Sequence, residues 1–347
     1  MKTATVPRPR YSPKLILLSV CIARLLFGSV SGRCAEYTIT DLGPGVAYDV
    51  NSNGQIAAFI NGKPVVTDGV HFQFLPYDAF PYNSAIDDAG DILLNSPSPS
   101  GPFSRVVNGS TTLLVLTNSS GVTGRDLNNN RLVCGDYNGG FGNAFRSDIG
   151  AVPYVSHANS INNQGTIVGM ATTNYTYSQF NPYPHPYAAC ILSNPAPIFI
   201  DTRPRPDTVR DFGGTDDLSE ALGINDPGEI VGWYHPVAPG PKRAFRYRGQ
   251  ALEDLGTLGG SNSVATHINS GGVVVGWSGI STNSDQHAFI FTNDTLVDLN
   301  SFLPAGSGWV LQMANSINDS GQIVGYGLFQ GVQHAFQPIG LFSPVSN

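Results

Sequence analysis

Charge is what this sequence has least of. Of its 347 residues only 12% are Asp, Glu, Lys or Arg, about half the quarter usual for soluble domains. That scarcity excludes coiled coils and helical bundles, which need charged faces toward water. Cysteine, methionine and tryptophan number only 4, 3 and 3. There is no Cys-x-x-Cys and no metal-ligand spacing, so neither a disulfide framework nor a zinc module is indicated. Gly-x-Ser-x-Gly, His-Glu-x-x-His and a phosphate-binding loop are also missing, which removes the common hydrolase, metalloprotease and nucleotide-binding readings. Disorder is excluded by 41% hydrophobic residues and a formal net charge of only −7. What is abundant is glycine, 40 residues, and proline, 25. Many short strands joined by tight turns fit that composition.

Residues 1–35 read as a secretory signal peptide, with cleavage near 31–35. Lys2, Arg8, Arg10 and Lys14 form a basic start, Leu15 to Val30 is apolar around Arg24, and Ser29, Ser31 and Gly32 are small. A membrane anchor is the alternative, but this stretch falls short of the roughly 20 residues that span a bilayer. No integral span is expected after cleavage. Arg33 before Cys34 argues against lipidation. Removing the leader's six basic residues from the 18 leaves twelve against 25 acidic ones, a net charge of −13. Nucleic acid and anionic membrane are therefore not expected as partners. Cys134 and Cys190 sit in apolar segments and read as buried thiols, with a disulfide between them left open.

One block recurs seven times. Its clearest copy is Ala314-Asn315-Ser316-Ile317-Asn318-Asp319-Ser320-Gly321-Gln322-Ile323-Val324-Gly325. Aligned on its second Asn, the anchors are Asn51, Asp87, Asn128, Asn162, Asn225, Asn269 and Asn318, with a mean spacing of about 44 residues. An aliphatic residue precedes every anchor and a β-branched residue follows five positions later. Three positions after the anchor stands Gly in six copies and Arg131 in the other, where Asn130 can take the left-handed conformation. This is a β-hairpin: the anchor side chain caps the turn, and Gly supplies positive φ.

A third and a fourth strand follow, as in Ala244-Phe245-Arg246-Tyr247 and Leu252-Glu253-Asp254-Leu255. Four short strands per roughly 44 residues is the period of a propeller blade. The last copy ends after its third strand, near Phe336, and the segment from Tyr37 to Gly43 matches a fourth strand. The expected fold is all-β: a seven-bladed β-propeller of four-stranded antiparallel blades, the last blade closed by the N-terminal strand. It spans 36–340 as one domain, with 341–347 as a tail. A β-solenoid fits worse, because copy lengths run from 34 to 63.

The triplets His287-Ala288-Phe289 and His334-Ala335-Phe336, the run Asp254-Leu255-Gly256-Thr257-Leu258-Gly259-Gly260-Ser261 and the Ile-Asn-x-x-Gly-x-Ile-Val-Gly pattern resemble the bacterial extracellular HAF-repeat family, a repeat family of unknown function. The match is specific over about 219–340 and looser over 37–218. The resemblance implies repeat architecture and export, and it carries no site.

In such blades the first-to-second and third-to-fourth turns share one face, which here is tight throughout. The other face takes connections of variable length, where function usually sits. Met170 to Pro186 offers Tyr175, Tyr177, Phe180, Tyr183 and His185. Asp201 to Asp217 offers Arg203, Arg205 and Arg210 among aspartates. Rings there suit stacking on sugar or peptide, and guanidinium groups suit carboxylates; packing of the loops onto their own blades is the plainer account. An aromatic also recurs eight residues after the anchor, at Phe59, Trp233, Trp277 and Tyr326, either ringing the channel mouth or packing blade on blade. Two residues before the anchor, Asp49, Asp126 and His267 share a channel-side position, the one constellation an enzyme reading has. Asp87-Asp88-Ala89-Gly90-Asp91 and Asn225-Asp226-Pro227-Gly228-Glu229 come closest to calcium loops, but carry few carboxylates, and plain turns are the default. No cofactor and no metal are expected. The reading is a secreted or periplasmic monomer, non-catalytic, binding a protein or glycan through the variable face. An exported carbohydrate-active enzyme, hydrolase or lyase, is the alternative.

Overall fold

The computed structural model describes residues 38–77, 84–96, 103–116, 121–137, 143–172, 187–192, 197–200, 219–236, 240–281 and 285–339. Over these residues the chain is an all-β propeller of seven antiparallel blades. Blade five shows the plan: inner strand Ser219–Ile224, then Ile230–Tyr234, Arg243–Arg248 and outer strand Ala251–Gly256. Blade six repeats it from Ser263–Ile268 to Thr295–Asp298. In blade two the described inner segment is reduced to one bridge, Ile86 to Ile92.

Two long strands each serve two blades. Thr38–Val50 pairs through its first half with Val332–Ile339 of blade seven and through its second half with Ile56–Ile60 of blade one. Ring closure is therefore direct: Asp41 lies opposite Phe336, and Ile39 opposite Pro338. Gly150–Ile161 likewise forms the outer strand of blade three and the inner strand of blade four.

Each repeated residue has a place in this plan. In all seven anchor turns the N–H three positions on bonds the anchor carbonyl. Six of these turns place Gly at φ 76–87°. In blade three Arg131 itself adopts φ 58°, not Asn130 before it. Its guanidinium is tied to the Asp91 carboxylate of blade two, which offsets the strain of a left-handed non-glycine residue.

The inner strand bulges just before the anchor in six blades. Opposite the bulge stands Gly135, Gly169, Gly232, Gly276 or Gly325, where a Cβ would sit 1.8–2.1 Å from an inner-strand carbonyl oxygen. That close approach explains the Gly of the Ile-Val-Gly pattern.

The core is distributed between blades, not gathered at one centre. Among the described residues seven apolar clusters each bridge neighbouring sheets, such as Val231 and Ala244 with Ala265, Ile268 and Phe289. Phe289 and Phe336, the last residues of the two triplets, and their counterparts in Asn143-Ala144-Phe145 and Arg243-Ala244-Phe245 are at most 1% exposed. The first residue of a triplet holds the blade's outer strand. His334 Nδ1 lies 2.8 Å from Asp41, His287 Nδ1 lies 2.7 Å from Asp298, and Arg243 pairs with Asp254 at 3.1 Å. Cys134 and Cys190 are buried free thiols in one cluster shared by blades three and four.

Candidate functional site

The anchor side chains meet around the axis, and their geometry repeats. In all seven, Oδ1 accepts the backbone N–H four residues on, at 2.7–2.9 Å. This is the expected turn cap. The amide has a second task that turn chemistry does not require. Asn51 Nδ2 donates to the Asp87 carbonyl, Asn128 to Asn162, Asn162 to Asn225, Asn225 to Asn269, Asn269 to Asn318 and Asn318 to Asn51, at 2.8–3.2 Å. The anchors are at most 7% exposed, so each of these six amides is a buried latch from one blade to the next.

Three further tiers lace the same seams. On the rim, one residue after the anchor, the N–H groups of Ser52, Asp88, Asn129, Asn163 and Ser270 donate to the side-chain oxygens of Asp88, Asn129, Asn163, Asp226 and Asp319. Three residues before the anchor, Asn159, Thr266 and Asn315 donate to the carbonyls of Ala221, Ala314 and Ala47. Two residues before it, Asp49, Asp126 and His267 accept the N–H groups of Ile86, Ile161 and Ile317 in the following blade, the last at a long 3.4 Å.

These tiers enclose an axial cavity of about 160 Å³ that opens on the tight-turn face. Asp49, Asp126 and His267 all line it, so the structure does bring the channel-side constellation together. It also employs both carboxylates. Asp49 accepts from Val50 N–H, Ser316 Oγ–H and Ile86 N–H. Asp126 accepts from Leu127 N–H, Ser160 Oγ–H and Ile161 N–H. Burial pushes the Asp126 carboxyl up, and the negative charge of Asp49 pushes the same way, against those hydrogen bonds. At about 160 Å³ the cavity falls below the roughly 300 Å³ at which sites for drug-sized ligands begin. On the rim, the Ser52 and Asn129 hydrogen bonds outweigh partial burial and hold Asp88 below the usual carboxylate range. Among the described residues no group of three or more His, Cys, Asp or Glu is placed to hold a metal ion.

Tyr175, Tyr177, Phe180, Tyr183, His185, Arg203, Arg205 and Arg210 lie outside the described residues. Trp233 and Trp277 are described. Trp233 is only 4% exposed, its Nε1–H donates to Glu220 at 3.0 Å, and the Lys242 ammonium stands 3.6 Å from its ring centre. A ligand that stacks on that face has to displace Lys242. Trp277 is half-buried, paired across the sheet with Val264 and Ala288.

A charged cluster that the sequence did not single out lies at the seam of blades three and four. Asp136, fully buried, takes Arg125 Nε–H at 2.6 Å and Ala158 N–H at 3.0 Å, with His157 Nδ1 at 3.3 Å. It occupies the place, eight residues after the anchor, that holds an aromatic in four other blades. Burial alone would raise this carboxyl; His157 and Arg125 outweigh burial and hold it low.

Residues 151–341 match the profile of a family described as "Protein of unknown function (DUF3466)". No curated protein matches the chain. Among solved structures, a catalytically inactive virginiamycin B lyase from Staphylococcus aureus with quinupristin aligns over 88% of this chain and 100% of its own, at 12% identity and a TM-score of 0.52. A selenomethionine-substituted form of that lyase gives 11% identity and 0.50 over the same shares. At such identities the likeness shows the fold alone.

Proposed function

This chain belongs to the DUF3466 family, whose function is not established, and from that premise we propose that it is an exported, non-catalytic propeller that binds a protein or glycan partner through its variable face. The triplet-to-aspartate pairs of blades five to seven support placing it with HAF-repeat proteins. A monomer fits a ring that closes on its own N-terminal strand.

The observation that carries this reading is the contrast between the two faces. The tight face is committed to architecture: its cavity is small, and the Asp49 and Asp126 oxygens are engaged by Val50, Ile86, Leu127, Ile161 and two serines. A general acid or a nucleophile there would have to give up bonds that hold the blades. The connections from second to third strand differ widely in chain length, from two residues after Ile60 to fourteen after Thr172. Variable loops on a rigid scaffold suit recognition.

The test is a binding screen of residues 36–347 against a glycan array and envelope extract, beside a variant carrying Tyr175→Ala, Tyr177→Ala and Tyr183→Ala. The expected result is a retained ligand whose affinity falls at least tenfold in the variant. Equal binding by the variant removes the tyrosine site, and no binding by either form removes the proposal. Release of new sugar ends from a polysaccharide would put the hydrolase or lyase reading in its place.

A further inference from the structure

The latch ring has seven members and, as amides, only six donors. Asp87 is the exception. Its Oδ1 accepts the Asp91 N–H at 2.8 Å, as every anchor Oδ1 does with the residue four positions on. Its Oδ2 therefore takes the place that Nδ2 takes in the other six. In those six blades that place meets the next anchor's carbonyl; the next anchor after Asp87 is Asn128, whose carbonyl also accepts the Arg131 N–H. Asp87 is 2% exposed, and Oδ2 is buried without a hydrogen-bond partner. A carboxylate there would set two acceptors against each other and leave a buried charged oxygen desolvated without a donor. A carboxylic acid there has the donor that the seam needs.

We infer that Asp87 is held as a neutral acid donating Oδ2–H to the Asn128 carbonyl, so that the ring of inter-blade latches is complete only while that proton is kept. The seam between blades two and three is then the one latch of the ring that pH can open.

The surrounding charges agree with this. Burial drives the Asp87 carboxyl upward and the Asp91 carboxylate adds to it, while the Asp91 and Ala89 N–H groups and Arg131 pull the other way and do not prevail. Asp91 is itself engaged by Arg131 from blade three and Asn108 from the third strand of blade two, so Arg131 is already paired with it. Asp88 on the rim is bonded to Ser52 and Asn129. Asp49 from blade one carries the Ile86 N–H. None of these presents a free cation to Asp87. A folded value above the unfolded one means that the contribution is fully present at acid pH and is lost as pH rises through the folded value.

Thermal melts of wild type, Asp87→Asn and Asn269→Asp between pH 4 and 9 test the inference. Asp87→Asn is expected to melt with the wild type at the acid end and on the order of 2 °C above it at the alkaline end. Asn269→Asp, which installs the same acid in a seam that now has an amide, is expected to melt lower at alkaline pH and to recover in acid. A gap between Asp87→Asn and wild type that does not change with pH, or a lower melt of that variant at alkaline pH, overturns the inference. Should Asp87→Asn fail to fold, an NMR titration of the wild-type Asp87 carboxyl carbon decides. A midpoint above the ordinary aspartate value supports the inference, and one at or below it overturns it.

Discussion

Asn318 on the last blade donates its side-chain amide to the backbone carbonyl of Asn51 on the first, at 2.8 Å and across 267 residues of sequence. The same side chain caps its own turn through the Gln322 N–H. Asn318→Ala removes both bonds. Each of these bonds contributes about 1 kcal/mol net, and the Asn51 carbonyl keeps the Gly54 N–H. The expected loss, read from urea unfolding, is therefore about 2 kcal/mol. Alanine at this position with wild-type stability would show that the ring of amides is ornamental.

Closure depends on the N-terminal strand more than on any one latch. Residues 38–44 give the Val332–Ile339 strand its partner, place Asp41 on His334, and bury Leu42 in the core between blades seven and one. A form beginning at residue 46 leaves that strand with an open edge, which pairs with other chains. It is expected to aggregate, with wild-type residues 36–347 eluting as a monomer in the same size-exclusion run. A soluble monomer with a wild-type melt from the shortened form would remove this account of closure. Leu42→Ala, a milder change, is expected to cost about 2–5 kcal/mol.

The propeller was legible because its blades are spelled out by repeats: an aliphatic residue, an anchor, a glycine and a β-branched residue at fixed offsets. The shared strand Gly150–Ile161 left a weaker trace, the 34-residue spacing from Asn128 to Asn162, the shortest of the six and too short for a separate connection. The latch ring left one too. Capping a turn needs only an acceptor, which Asp or Ser supplies as well as Asn. Six Asn in seven copies signals a demand for a donor, and the turn alone does not create that demand. Asp136 had no such signal, because its partners Arg125 and His157 stand at positions that carry other residues elsewhere. The variable loops show only composition, since their contacts depend on long-range packing that no local period encodes.

Asp136 and Asp87 respond to pH with opposite sign. The folded Asp136 carboxyl lies below its ordinary value, so its contribution is present above that ordinary value and is lost as pH falls through the folded one. Asp136→Asn breaks the pair between this buried carboxylate and the partly exposed Arg125, which costs about 1.5–3 kcal/mol at neutral pH. The difference from wild type is expected to shrink as pH drops below about 4. Denaturant midpoints at pH 7 and pH 3 check this, with His157→Gln as a milder companion. A difference that stays constant between the two would mean that the pairing with Arg125 and His157 does not set the charge of Asp136.

Cys134 and Cys190 share a core cluster as free thiols, both fully buried. Burial pushes each thiol up, and the carboxylates of Asp126 and Asp136 push Cys134 further. The thiolate is the reactive form, so neither side chain has the charge state or the access that oxidation needs. In the folded 36–347 form both are expected to resist a thiol reagent such as 5,5′-dithiobis(2-nitrobenzoate), and to react fully once guanidinium unfolds the ring. The melt is expected to be the same with and without reductant. A rise in free thiol after reduction would show that oxidising surroundings can pull these strands together, and the cluster between blades three and four would then owe its stability to a bond as well as to packing.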